Sequence, residues 1–229
     1  ALAPVASANP AGTGLVISEV YGAGGNSGAA YNADFVELYN PTAGAISLNG
    51  LSIHYRAATG GSGGSPFALA GSVAAGGHFL IQMSSAGATG AALPTPDATA
   101  LPAFSMAAAG GQTYLLNGVT AVTSTGNTVG NAAIVDMVGL GTSTSFETAA
   151  GPAATAASSA NRNASGADSD NNSSDFTLAA PSPENGGGST PVVTEATIAE
   201  IQGAGASVSR ATLVKPAWLI VLTTAMTAP

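Results

Sequence analysis

The chain contains no cysteine in its 229 residues, which excludes a disulfide framework and a thiolate site. Charged residues make up only 7% of the sequence, against about a quarter in ordinary globular domains. Twelve acidic residues outnumber four basic ones, so the formal net charge is −8. Such a surface repels a phosphate backbone, and we therefore expect no direct nucleic-acid binding by this segment.

Long hydrophobic runs and clustered histidines are also missing. The apolar run 217–222 is far shorter than the roughly 20 residues that a membrane-spanning helix needs, so no span is expected. His54 and His78 are the only imidazoles, and neither has a second histidine at metal-ligand spacing. Both are predicted to be structural strand residues on the surface or half-buried.

Alternation of side-chain type marks two strands near the N-terminus. In 16–21 the pattern predicts residues 16, 18 and 20 on one face and 17, 19 and 21 on the other. In 34–40 it places Phe35, Glu37 and Tyr39 on one face, and Pro41 ends the strand because proline cannot donate to a ladder.

Further short apolar packets follow, separated by glycine-rich or Ser/Thr-rich connections. Many short strands without a convincing helix predict an all-β sandwich. The alanine-rich segment 148–160 contains Gly151-Pro152 and no helical apolar stripe, which predicts a loop or a short turn. The additional strand candidates are Ile46–Tyr55, Phe67–Leu69, His78–Met83, Thr113–Leu116, Thr120–Thr123 and Ile134–Leu140.

The two ends of the chain differ in composition from the middle. Residues 6–8 have the pattern Ala6-x-Ala8, which is typical of a signal-peptidase site. Residues 1–13 are therefore predicted to be a signal-peptide remnant and leader, with cleavage after Ala8. An ordinary Ala/Pro-rich terminus gives the same pattern. Residues 181–195 are a predicted Pro/Gly/Ser linker. Residues 198–205 repeat the pattern of 17–24, so 196–229 are interpreted as the start of a truncated or frame-shifted second domain, or else as a tail that docks on the sandwich.

The strongest candidate for a metal site is the loop with Asp168, Asp170, Asn172 and Asp175. Oxygen ligands at alternate positions suit calcium, although the sequence lacks the glycine and glutamate that an EF-hand loop requires. The same side chains also cap their own turn backbone in many proteins, and this alternative stays open. No other cofactor is expected.

Three carboxylates near the first two strands, Glu19, Asp34 and Glu37, are close enough in sequence to pair. Hydrolytic use would require a base of tuned pKa together with a cleft or a metal ion. Acidic residues on the solvent face of strands are the commoner arrangement, and this is what we expect here. No residue is assigned a catalytic role.

Several of these segments together resemble the lamin-tail domain, an immunoglobulin-like β-sandwich that bacteria often append to secreted enzymes. The likeness covers 14–185, with 14–180 as the domain, and is most similar to the version found in front of large extracellular nucleases. It rests on 17–21, 34–41, 46–53, 73–81, 134–141 and 161–176.

The resemblance implies a secreted or cell-surface, monomeric accessory module of an extracellular nuclease or phosphodiesterase, with Glu37 as a fold signature. Its partner would be another protein, a cell-surface component or the parent's own catalytic domain. The alternative is an adhesion or binding module without an attached enzyme, which would bind through loops 22–33 and 57–65. A small metal-dependent hydrolase is a third possibility, but two lone histidines do not supply its ligands.

Overall fold

The computed structural model describes residues 13–61, 63–100, 102–163 and 166–186. Twelve strands and one four-residue helix follow each other along this part of the chain. Their bounds are β1 Val16–Tyr21, β2 Phe35–Tyr39, β3 Ile46–Ser47, β4 Leu51–Arg56, β5 Phe67–Ala68, β6 Ser72–Val73, β7 His78–Gln82, β8 Ala98–Thr99, β9 Gly111–Asn117, β10 Ile134–Leu140, β11 Ser159–Arg162, α1 Asn172–Asp175 and β12 Phe176–Ala179.

Two main sheets pack face to face. The first has six strands in the order β12-β11-β1-β2-β7-β8, and the second has four in the order β10-β9-β4-β5. All pairs are antiparallel except β7 with β8, and β3 and β6 form a separate small ribbon. The inner faces of both sheets share one buried apolar core, to which Val36 and Leu38 of β2 and Leu115 of β9 belong. The predicted all-β sandwich is therefore confirmed.

The predicted alternation holds in β2 but fails in β1. The pairing between β1 and β2 shifts in register between Ile17 and Glu19, which is a β-bulge. Because of this irregularity Ile17 and Val20 both contribute to the inner core, although they are three residues apart. Ser18 and Glu19, which a regular strand would place on opposite faces, both line a cleft on the other side of the sheet.

Three of the predicted segments differ from the structure in the type or number of their elements. The segment 46–55 is interrupted by a turn in which Gly50 has a φ of +87°, so it forms β3 and β4. Residues 120–123 are not a strand, because Val122 is buried against Tyr114 and Met137 and donates its N–H to His54 Nδ1 instead of a ladder carbonyl. The predicted loop 148–160 ends in strand β11, which pairs with β1.

The predictions for residues 1–12 and 187–229 lie outside the described residues. They include most of the leader, the rest of the linker and the second domain.

Candidate functional site

The outer face of the six-stranded sheet carries a row of carboxylates. Glu19 of β1 lies directly opposite Glu37 of β2 in the register, and Asp97 immediately precedes β8 at the edge of the sheet. The two glutamates are nearly inaccessible to solvent, with exposures of 2% and 3%. The expectation that these acids face solvent is therefore wrong, because another segment of the chain covers them.

The covering segment consists of residues 181–186, which we call the strap. Ser182 donates its backbone N–H to Glu19 Oε1 at 3.0 Å, and Glu184 donates its N–H to Glu37 Oε2 at 2.6 Å. Gly186 donates its N–H to Asp97 Oδ2 at 2.8 Å. Alternate residues of the strap are thus held by successive carboxylates, so the beginning of the predicted linker is bound to the domain.

His78, the first residue of β7, lies on this face between Glu37 of the row and Glu184 of the strap. Its Nδ1 is 2.8 Å from Glu37 Oε1, and its Nε2 is 3.6 Å from Glu184 Oε2. The hydrogen bond to Glu37 raises the pKa of His78. Burial raises the pKa of Glu19 to about 7, despite hydrogen bonds from Ser159 and Ser182 that lower it.

A polar cleft of about 380 Å³ opens beside the strap. Its walls include both glutamates of the row, His78 and Asn161. The half-buried His78 agrees with the sequence prediction, whereas His54 is almost fully buried and contacts the Gly64 carbonyl through Nε2 at 3.2 Å. Asp34 lies apart from the row, because its carboxylate accepts the N–H groups of Gly24 and Met106.

A second group of acids surrounds Arg162, in the interior between the sheets. Its Nη2 bonds both oxygens of Asp136, at 3.2 and 3.0 Å, and its Nη1 lies 3.2 Å from Asp168 and 3.6 Å from Asp175. Its Nε donates to the Ile17 carbonyl at 2.8 Å. Since Arg162 belongs to β11 and Asp136 to β10, the guanidinium joins the two sheets.

Glu147 is the fourth acid of this group. In the described part of the chain, the ion pairs of Arg162 are with Asp136, Asp168 and Asp175 and not with Glu147. Its Oε2 accepts a hydrogen bond from Asn172 Nδ2 at 2.8 Å, and Asn172 Oδ1 accepts the N–H of Gly139 at 2.9 Å. Burial, together with the negative charges of Asp136 and Asp168, raises the pKa of Glu147. Burial and the charge of Asp136 likewise raise the pKa of Asp168.

The four residues of the predicted calcium loop take different roles in the structure. Asp168 and Asp175 face Arg162, Asn172 bonds Glu147, and Asp170 is exposed with a left-handed φ of +56°. Asp175 also accepts hydrogen bonds from the N–H and hydroxyl of Ser169, a turn contact of the kind the alternative reading describes. Calcium binding by Asp168, Asp170, Asn172 and Asp175 together stays a prediction.

Instead, the structure brings an oxygen of Asp168 together with oxygens of two acids outside the predicted set. One carboxylate oxygen from each of Asp136, Glu147 and Asp168 lies within 4.8 Å of those of the other two. Sequence reasoning missed Asp136 and Glu147 because they are 32 and 21 residues from Asp168. The only available signal was an acidic residue inside the otherwise apolar strand 134–140.

In the described part of the chain, no helix has the length and hydrophobicity needed to cross a membrane.

The two packed sheets, together with their connections, define an immunoglobulin-like β-sandwich. The model of the Lamin Tail Domain family matches residues 8–185. The chain therefore belongs to the lamin-tail family, as its sequence segments predicted, and this membership indicates a binding or accessory module. A search of curated proteins gives no match.

A solved structure with a similar fold is a DUF4876 family protein from Bacteroides thetaiotaomicron. It is 14% identical, with a TM-score of 0.51, and the similarity covers 83% of this chain and 76% of that one. At this identity the likeness supports the fold alone.

Proposed function

We propose that the chain is the non-catalytic accessory module of a secreted hydrolase of the extracellular nuclease or phosphodiesterase class, and that its domain positions the polypeptide after residue 186. The observation that carries this proposal is the strap. Three carboxylates on neighbouring parts of one sheet accept backbone N–H groups from alternate residues of the exit segment.

Backbone contacts make the strap a tether rather than a recognition motif. The side-chain carboxyl groups accept N–H groups that every residue except proline offers. Two further contacts reinforce the exit segment. Pro183 is buried, and Asn185 donates its side-chain amide to the Thr95 carbonyl at 2.8 Å. These contacts hold the end of the described domain against its own sheet.

The charge distribution favours a supporting role over direct contact with nucleic acid. Both arginines within the described residues, Arg56 and Arg162, are buried, with exposures of 1% and 6%. The described surface therefore offers no arginine to a phosphate backbone, and phosphate contacts supply a large share of the affinity of nucleic-acid binders. In this proposal another domain of the parent protein binds and hydrolyses the substrate.

Sequencing the encoding locus beyond residue 205 in all three reading frames tests the class of parent protein. We expect an OB-like domain followed by a metal-dependent phosphodiesterase domain. A stop codon after Pro229, with no such domain in any frame, would contradict the nuclease assignment and leave a free-standing binding module.

Amide hydrogen exchange tests the tether itself. We expect the amides of Ser182, Glu184 and Gly186 to be protected, and Asp97→Ala to remove the protection of Gly186 by on the order of tenfold or more. Glu184→Ala is the matched control, because it removes an exposed side chain of the strap but keeps the N–H that Glu37 accepts. Fast exchange of all three amides in the unmodified chain would rule out the tether.

A further inference from the structure

The acidic group around Arg162 contains more negative charge than its one guanidinium can balance. Asp136, Asp168 and Asp175 each lie within 4.0 Å of Arg162, and Glu147 is a fourth buried carboxylate beside them. All four are at most 7% exposed. If all are ionised, three negative charges remain uncompensated in a region from which water is excluded, and isolated buried charges are strongly unfavourable.

One of these carboxylates has an oxygen without any partner. Asp168 Oδ1 lies against Arg162 Nη1 and accepts the N–H of Asp170 at 3.3 Å. Asp168 Oδ2 is fully buried and has no hydrogen-bond partner. Buried polar atoms are nearly always paired, so an orphaned oxygen of an acid indicates a missing donor or ion. It belongs to the carboxylate that lies against Asp136 and Glu147.

We propose that Asp136, Glu147 and Asp168 bind one calcium ion in the interior of the domain. Their ligand oxygens lie within 4.8 Å of one another, a spacing that one ion reaches when each Ca–O distance is about 2.3–2.6 Å. The donors are all carboxylate oxygens, which hard cations prefer over soft metals.

Free lone pairs remain on all three carboxylates. A carboxylate offers about four acceptor sites. Asp136 uses three of them for the Ile17 N–H and for two contacts with Arg162, while Glu147 Oε2 accepts one hydrogen bond from Asn172. Asp168 Oδ2 uses none. The ion therefore adds to the existing contacts and does not have to replace Arg162.

Asn171, three residues after Asp168, has a second buried oxygen without a partner. Its Oδ1 is buried and unpartnered, and the side chain makes no capping bond to helix α1 although it occupies the N-cap position. Calcium takes six to eight oxygen ligands, more than the octahedral magnesium ion, and tolerates irregular geometry. The three clustered carboxylates, one from strand β10 and two from loops, form an asymmetric set that suits calcium better than magnesium. This inference does not depend on the proposed parent enzyme.

Thermal unfolding of the full chain in EDTA and in calcium chloride up to about 10 mM tests the site, since extracellular calcium modules bind at about 10⁻⁴–10⁻³ M. We expect calcium to raise Tm with saturation and magnesium to raise it less. Glu147→Gln should remove most of the calcium-dependent rise while leaving Tm in EDTA unchanged or higher, because it also removes one repelling charge. The matched control is Glu184→Gln, which removes an exposed acid from the strap and should keep the full response.

Two results would overturn the proposal. One is an unmodified chain whose Tm does not respond to calcium. The other is a calcium response that survives unchanged in both Glu147→Gln and Asp168→Asn. Asp168→Asn keeps the test decisive if Glu147→Gln does not fold. If calcium instead bound to acids after residue 186, the rise in Tm would persist in both variants.

Discussion

Arg56 and Arg162 are both buried inside the same sandwich, yet they have opposite kinds of partners. Within the described residues, Arg56 donates to backbone carbonyls, those of Gly60, Gly61 and Ser124. Arg162 contacts three carboxylates and stacks over the Phe176 ring, with its Cζ 4.7 Å from the ring centroid. One guanidinium orders a glycine-rich loop, whereas the other connects two sheets.

The difference shows what each buried charge contributes. A guanidinium among carbonyls satisfies neutral acceptors that water would otherwise satisfy, so its removal leaves dipoles unpaired. A guanidinium among carboxylates also compensates charge, so its removal leaves buried anions without a cation. We therefore expect the Arg162 site to be the more sensitive of the two.

The largest effect is expected for Arg162→Met, which keeps an unbranched stem but removes the charge. It should lower the free energy of unfolding by about 3–5 kcal/mol, as for other buried pairs that lose one partner. Urea denaturation with and without calcium measures this loss. A loss below about 1 kcal/mol would contradict the view that Arg162 compensates the acids.

The Arg162 site also shows where the sequence ceased to be informative. Alternation along 34–40 predicted the two faces of β2 correctly, because each side chain depends mainly on its own strand. The acidic group instead depends on how distant segments meet, since Asp136 and Arg162 are 26 residues apart in different sheets. Spacing within the loop 168–175 therefore identified only one of the three clustered oxygens.

The strap illustrates a second limit. Its proline- and glycine-rich composition predicted a linker without core-forming residues, yet Ser182, Glu184 and Gly186 each donate a backbone N–H to one of the three acids, and the Ser182 hydroxyl adds a 3.4 Å contact to Glu19 Oε2. A backbone donor has no signature in the sequence, whereas the acceptors Glu19 and Glu37 were visible but were expected to face solvent. The β-bulge in β1 was equally hidden, since no glycine marks it.

Glu19 extends the comparison of the two arginines to a buried acid. Its hydrogen-bond donors are neutral, and unlike an arginine it can become neutral itself by binding a proton. Burial raises its pKa from 4.5 to about 7, with a smaller contribution from the charge of Glu37. The folded state therefore binds this proton more tightly than the unfolded state. The stability that Glu19 contributes is complete below about pH 4.5 and is lost as the pH rises through about 7.

Glu19→Gln should abolish this component of the pH dependence. Between pH 4.5 and 7.5 the free energy of unfolding of the unmodified chain should fall by roughly 2–3 kcal/mol more than that of the variant, because each unit of pKa difference is worth about 1.4 kcal/mol. Urea unfolding of both proteins across this range measures the difference between the two curves. Parallel curves for Glu19→Gln and the unmodified chain would mean that the pKa of Glu19 is the same in the folded and unfolded states.

The smallest effect is expected for Arg56→Met. The variant retains apolar packing against the loop and escapes the cost of burying a charge, but it leaves carbonyl oxygens of Gly60 and Ser124 without their donor. We expect a loss of about 1–2 kcal/mol in the free energy of unfolding, with no change in the response to calcium. If Arg56→Met lost as much free energy of unfolding as Arg162→Met, the effect would depend on the burial of the guanidinium and not on the charge of its partners. A smaller loss, combined with a normal calcium response, would show that the two arginines differ through the acids around them.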